Sequence, residues 1–381
     1  MNAANEQVNV IYNQASWVME NESVRAAITR LGGHMAPVSF DVGTGRAVEP
    51  YFINPWHNEG LALGEPVLVP LRGDFFCLPF GEVNTAGGEF HHVHGETAGK
   101  KWQFHSLVEE GATLTLTLAM DLKARAGSVT KRTQLVKGHT AVYQQHHIEG
   151  FTGKTSLGHH ATLTGSKNWR ISTAPIHFGR VGTGAPLYAN EEYISLEPGA
   201  WFESLEEVPT VWKDPETSDC TVFPAREGFV DIAQVYFEPS EEPVWTCAVC
   251  AEEGFLWYSL KNRAVQPSMV LWMENHGRHG APWNSRNACI GLEDVCGYFA
   301  KGLNESIAEN DVNARGIPTC HTFDGVGFDV NYIQGAARIP QGFDRVKTVV
   351  FDEGMVTFIS DSDKVATAAV AHEFVFSGKV G

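Results

Sequence analysis

The chain has 381 residues, of which 43% are hydrophobic, 11% aromatic and 19% charged, a composition that folds and excludes an intrinsically disordered protein. Asp and Glu number 45 against 28 Lys and Arg, and the resulting net charge of -17 argues against a partner bound through a phosphate backbone. No run reaches the ~20 apolar residues of a membrane helix. The opening MNAANEQVNVIYNQ lacks the basic start and apolar core of a signal peptide, so a cytoplasmic location is expected.

In chain order, GGHMAPVSF (residues 32–40) follows a strand-like run at 24–29. TLTLTLAM (113–120), SVTKRTQLV (128–136) and TAVYQQHHI (140–148) then alternate with period two. These last three predict an antiparallel meander, turning at Ala126-Gly127 and Lys137-Gly138. Further strands are predicted at 229–237, 244–250, 255–260, 269–273, 348–351, 356–359 and 365–376. The acidic stretch 203–224 reads as a long surface loop. One short helix is predicted over 304–313, with Ser306 and Glu309 as cap residues. With 38 Gly and 18 Pro punctuating the strands and no linker or repeat, the expectation is one large antiparallel β domain spanning residues 1–381. The seven cysteines, mostly in apolar runs, read as reduced, buried thiols.

Polar residues concentrate in four places. In RGDFFCLPFG (72–81), Arg72 and Asp74 precede an apolar run. In HHVHGE (91–96), alternation puts His92 and His94 on one strand face, as metal ligands, sugar-binding donors or solvent-facing polar residues. In LGHHATL (157–163), the adjacent His159 and His160 must point to opposite sides. The densest cluster, residues 271–299, holds Trp272, Glu274, Arg278, Trp283, Arg286 and Glu293. Glu293 follows the apolar run 288–292, where burial would raise its pKa towards that of a useful general base.

Taken in order, LRGDFFCLPFG, HVHGE, LGHHATL and CIGLED resemble the aldose 1-epimerase (galactose mutarotase) superfamily, in particular its divergent branches, and the opening GGHMAPVSF looks like that family's first hairpin. The resemblance implies an all-β antiparallel β-supersandwich and a soluble sugar as substrate. It also implies an early sugar-binding Arg at Arg72, a first His at His94, a second at His160 and the catalytic Glu at Glu293. The family's HP dipeptide is here His160-Ala161. Its hydroxyl-binding Asp has no clear counterpart, and Asp231 stands in that place as a guess.

Exchanging the anomers of a pyranose needs a base for the C1 hydroxyl and an acid for the ring oxygen, and carboxylate and imidazole suit both tasks. On this reading Glu293 is the base, His160 the acid, and His94 a donor that orients the sugar. Arg72 would clamp hydroxyls and Trp272 or Trp283 would offer an apolar platform to the ring. No metal or cofactor is called for. A metal-dependent cupin would use His92 and His94, but a Glu four or five residues later is missing. The other class of reading is a carbohydrate-binding protein on the same fold that turns nothing over.

Overall fold

The computed structural model describes residues 6–183 and 193–380; residues 1–5 of the opening segment lie outside them. Two large antiparallel sheets dominate. The nine-stranded sheet runs, edge to edge, through Val222–Phe223, Trp169–Thr173, Val244–Cys250, Phe255–Lys261, Phe328–Arg338, Ala141–Glu149, Gly127–Val136, Thr113–Leu122 and Gln103–Glu110. The seven-stranded sheet runs through Trp201–Phe202, Ile176–Val181, Phe229–Phe237, Ser268–Asn275, Ala288–Cys296, Leu157–Thr164 and Phe76–Cys77. The predicted meander forms three neighbouring strands of the larger sheet, in register from Val136 opposite Thr113 to Ser128 opposite Glu149. The GGHMAPVSF segment supplies the second arm of an early hairpin, Val24–Thr29 against Met35–Phe40.

Period-two alternation gives each strand of the smaller sheet an inner and an outer face, and the inner face packs on the larger sheet. One contiguous apolar core runs between them, from Trp17 to Val375. Charged groups are buried within it. Asp294 pairs with Lys261 at 2.7 Å and accepts from the Ser259 and Tyr332 hydroxyls at 2.7 Å each. His159 pairs with Asp74 at 2.9 Å, and Gln144 donates to the same carboxylate at 2.7 Å. Charge is tolerated at such depth only when paired and hydrogen-bonded, as it is here.

Three expectations are corrected. The 304–313 helix is a short helix at Leu303–Ile307 and a separate 3-10 turn at Asn313–Arg315. Between them the Asn310 side chain accepts from the Val312 and Asn313 N–H groups, offering the backbone an alternative to continued helix. The 365–376 strand ends at Ala369, and Phe374–Ser377 forms a helical turn. Third, 203–224 is largely loop but contains a two-residue ladder, Val208–Pro209 against Thr217–Ser218, and the edge strand Val222–Phe223 of the larger sheet. All seven cysteines are free thiols, and only Cys320 is not fully buried. Among the described residues no helix is long and apolar enough to cross a membrane.

Candidate active site

The outer face of the seven-stranded sheet carries the site. Leu157–Thr164 pairs with Ala288–Cys296 so that His160 stands opposite Glu293 and His159 opposite Asp294. Because adjacent side chains leave a strand on opposite faces, one register places a His/acid pair on each side of the sheet. His159 and Asp294 enter the inter-sheet network, whereas His160 and Glu293 line a cavity of about 290 Å³ on the outer face. The next strand, Ser268–Asn275, puts Val270 beside Glu293 and Trp272 beside Gly291.

His160 Nε2 lies 3.1 Å from Glu293 Oε1, and both side chains are almost fully buried, at 5% and 2% exposure. The other imidazole nitrogen, Nδ1, is 3.0 Å from the Thr162 hydroxyl, which fixes the ring's orientation. Phe75 stacks on the His160 ring at 4.5 Å and on His34 at 4.0 Å, so the imidazole is held by an aromatic column. Burial pushes the Glu293 carboxyl well above its ordinary value, with the Arg278 cation opposing the shift. The same burial drives His160 well below its ordinary value, and neighbouring His94 adds to it.

His94 reaches the cavity differently from the way the sequence suggests. The strand there ends at His91, and His94 sits in the left-handed region at φ 60°, just before the short helix Gly95–Gly99. For a non-glycine residue that conformation costs about 1 kcal/mol or more, and the surrounding contacts hold it. His94 N–H donates to the Gly81 carbonyl at 2.8 Å, while its Nδ1 accepts from Gly81 N–H at 3.2 Å. An accepting Nδ1 leaves Nε2–H as the donor of the neutral ring. Burial, with Arg278 adding, lowers the His94 pKa to about 3, which keeps that ring neutral in the physiological range. His92 instead meets Glu65 at 3.3 Å, so it does not form a shared strand-face pair with His94. Among the described residues no group of three or more His, Cys, Asp or Glu is placed to hold a metal.

Trp272 and Trp283 line the cavity, edge to face at 5.6 Å, and the Arg278 guanidinium lies over both, at 5.2 Å and 4.8 Å. Arg278 also receives orientation from Glu274, whose Oε1 accepts its backbone N–H at 3.1 Å. Two expected residues are elsewhere. Arg72 is buried and donates to the carbonyls of Pro70 and, at the turn between Asn9–Ile11 and Gln14–Glu20, of Ile11 and Tyr12 at 2.9–3.1 Å, so its guanidinium ties chain segments together and does not line the cavity. Asp231 receives the N–H groups of Ser195 and Leu196 and the Ser195 hydroxyl, and it faces the neighbouring cavities. The cation at the site is Arg278, which the dense 271–299 cluster contains but which no alternation rule singles out. Glu65 also lines the cavity, and its carboxylate accepts from Val93 N–H at 3.1 Å. Nothing in LGEPVLVP marks it.

Gly291 shares the outer face with Glu293. A Cβ there would lie 2.3 Å from Glu293 Oε1, so the absent side chain is what lets the carboxylate lie flat towards His160. Gly291→Ala is therefore expected to swing the carboxylate away and lower any turnover that depends on the His160–Glu293 contact by about tenfold or more, while the melting temperature changes little. Thermal unfolding and turnover measured on the same preparation check this.

Comparison of the sequence with protein-family models and with curated proteins finds no match. Solved structures do match. A galactose mutarotase-like protein from Clostridium acetobutylicum aligns over 87% of this chain and 98% of its own, with TM-score 0.59 at 12% identity. Proteins provisionally classed as aldose 1-epimerases align similarly. The one from Klebsiella pneumoniae covers 86% of this chain and 80% of its own, with TM-score 0.56 at 12% identity. The one from Escherichia coli K12 covers 85% and 99%, with TM-score 0.55 at 10% identity. The antiparallel layers, the sheet that bears the cavity and these alignments agree, and the chain has the galactose mutarotase-like β-sandwich fold.

Proposed function

We propose that this protein interconverts the anomers of a reducing sugar, the reaction of an aldose 1-epimerase. The observation that supports this most is the buried His160–Glu293 contact on the wall of a sugar-sized cavity. Burial moves the two pKa values in opposite senses, so over the wide interval between them the pair holds one proton. Those shifts rest the proton on Glu293 beside a neutral His160, and its transfer across the 3.1 Å contact gives the reactive form, with Glu293 a carboxylate and His160 the acid.

A pyranose inserted between them meets both halves of the reaction. Glu293 takes the proton of the C1 hydroxyl, the C1–O1 bond becomes a carbonyl, the bond from C1 to the ring oxygen breaks, and His160 protonates that oxygen. Rotation about C1–C2 presents the other carbonyl face. The ring recloses as Glu293 returns its proton to O1 and His160 recovers one from the attacking hydroxyl. No net proton is consumed, as an isomerisation requires. His94, neutral and donating through Nε2, orients the sugar and supports charge on its ring oxygen. Trp272 and Trp283 offer faces for the C–H side of the ring. Arg278 takes the hydroxyl-binding role first expected of Arg72.

Exchange NMR of the α and β anomeric protons across a panel of aldoses and uronates tests this. Exchange faster than the spontaneous rate for at least one sugar is expected. A sugar that binds and shows no acceleration would mark the protein as a carbohydrate-binding module.

A further inference from the structure

The cavity does not end at the catalytic pair. A second cavity of about 320 Å³ shares Glu82, Ile232, Arg278 and Ala300 with the first, so these four residues form a common border between two compartments. The first compartment alone sits at the lower end of small-molecule pockets, ~300–1,000 Å³, which suits one sugar ring. Together the two adjoining cavities hold more space than a monosaccharide needs.

The second compartment is built, not left over from loose packing. Its wall includes Phe299, held in the left-handed region at φ 45°, a conformation that is costly for an aromatic residue. The Phe299 N–H donates to buried Gln234 Oε1 at 2.8 Å, and the Ala300 carbonyl accepts from Glu82 N–H at 2.7 Å. On the opposite side the Gly182 N–H is fixed to the Ile232 carbonyl at 2.8 Å. Strain held by such contacts is a mark of a shaped binding surface.

Its chemistry is balanced. Among the described residues each cation on its wall has an acid beside it: Glu82 lies 3.6 Å from Lys301, and Glu274 lies 3.7 Å from Arg278. With a chain charge of -17 as well, none of the described residues here favours an anion such as a phosphate or carboxylate. Thr183 and the charged termini can bond hydroxyls, while the partly exposed Ile232 and Ile194 supply apolar surface, the mixture that a neutral pyranose presents.

We propose that this second compartment holds a second neutral sugar unit, so that the preferred ligand is a reducing disaccharide or the reducing end of a longer glycan. The reducing ring occupies the His160–Glu293 compartment and its non-reducing substituent crosses the border formed by Ile232, Arg278 and Ala300. The substrate class rests on the anomer-exchange reading; the second sugar subsite does not.

The test compares glucose and galactose with maltose, cellobiose, lactose and melibiose, following both anomeric exchange and equilibrium binding. It uses the parent protein, Lys301→Trp and Thr183→Phe, which fill the second compartment. Lys301 is 28% exposed in its side chain, so the exchange to Trp does not load the core. At least one disaccharide is expected to exceed its constituent monosaccharides in kcat/KM by about tenfold or more, and both variants should cut that ratio by a similar factor. Monosaccharides turned over with no disaccharide preference, or a preference unchanged in both variants, would overturn the subsite and leave anomer exchange standing. Disaccharides that bind more tightly than monosaccharides, lose that margin in the variants and never exchange would support the subsite while sinking the reaction. Absence of all sugar binding would sink both.

Discussion

Glu293→Gln is expected to bind its sugar about as tightly as the parent and to exchange the anomers about 10²- to 10⁴-fold more slowly. The amide keeps the shape of the carboxyl and both donates and accepts hydrogen bonds, so the contact to His160 Nε2, now 3.1 Å, has a replacement. What it lacks is an oxygen basic enough to take the C1 hydroxyl proton, and general acid–base catalysis by one group has this magnitude. A loss confined to kcat identifies an interaction made in the transition state, whereas a raised KM with kcat intact would assign Glu293 to binding. Isothermal calorimetry and exchange NMR on the same sample separate the two.

His160→Asn should cost a comparable factor, and its contrast with His159→Asn is the sharper result. His160 faces the cavity, while His159 faces the inter-sheet network and bonds Asp74 at 2.9 Å. Replacing His159 leaves a buried carboxylate short of its charge partner, so the damage should appear as a lower melting temperature, with turnover per folded molecule reduced far less. The parent's pH dependence follows from the same pair. Glu293 is raised by burial, so as pH climbs past its value the pair loses its single proton and turnover falls. His160 is lowered by burial, so only well below its usual range does a second proton arrive and occupy the base. For kcat/KM the acid limb is expected below the usual imidazole range and the basic limb above the usual carboxylate range. An acid limb at the ordinary histidine value would contradict these shifts.

Alternation made much of this architecture legible. TLTLTLAM and its two successors announce their strands because one face is buried and the other is not. The adjacency of His159 and His160 likewise puts them on opposite faces of the strand, and His160 is the one that lines the cavity. Period two fails where the backbone leaves the strand. His94 owes its position to a left-handed residue ahead of a short helix, and a pattern of apolar and polar residues carries no sign of φ 60°. Arg72 was misplaced for a different reason: an Arg before an apolar run is compatible with either a cavity or a carbonyl cage. Only the fold brings the Ile11 and Tyr12 carbonyls to it, from the turn between Asn9–Ile11 and Gln14–Glu20. Arg278 and Glu65 arrive on loops, where spacing has no fixed relation to direction.

The central claim is that His160 and Glu293 act as one proton-sharing unit on a bound sugar. A double-mutant cycle measures this most directly: anomeric exchange rates for the parent, Glu293→Gln, His160→Asn and the combined variant, each at saturating substrate. Groups that work as a unit are strongly non-additive, so the combined variant should be slowed by about as much as the worse single variant. Losses that multiply, each single factor compounding the other, would show two groups acting independently and contradict the shared-proton mechanism.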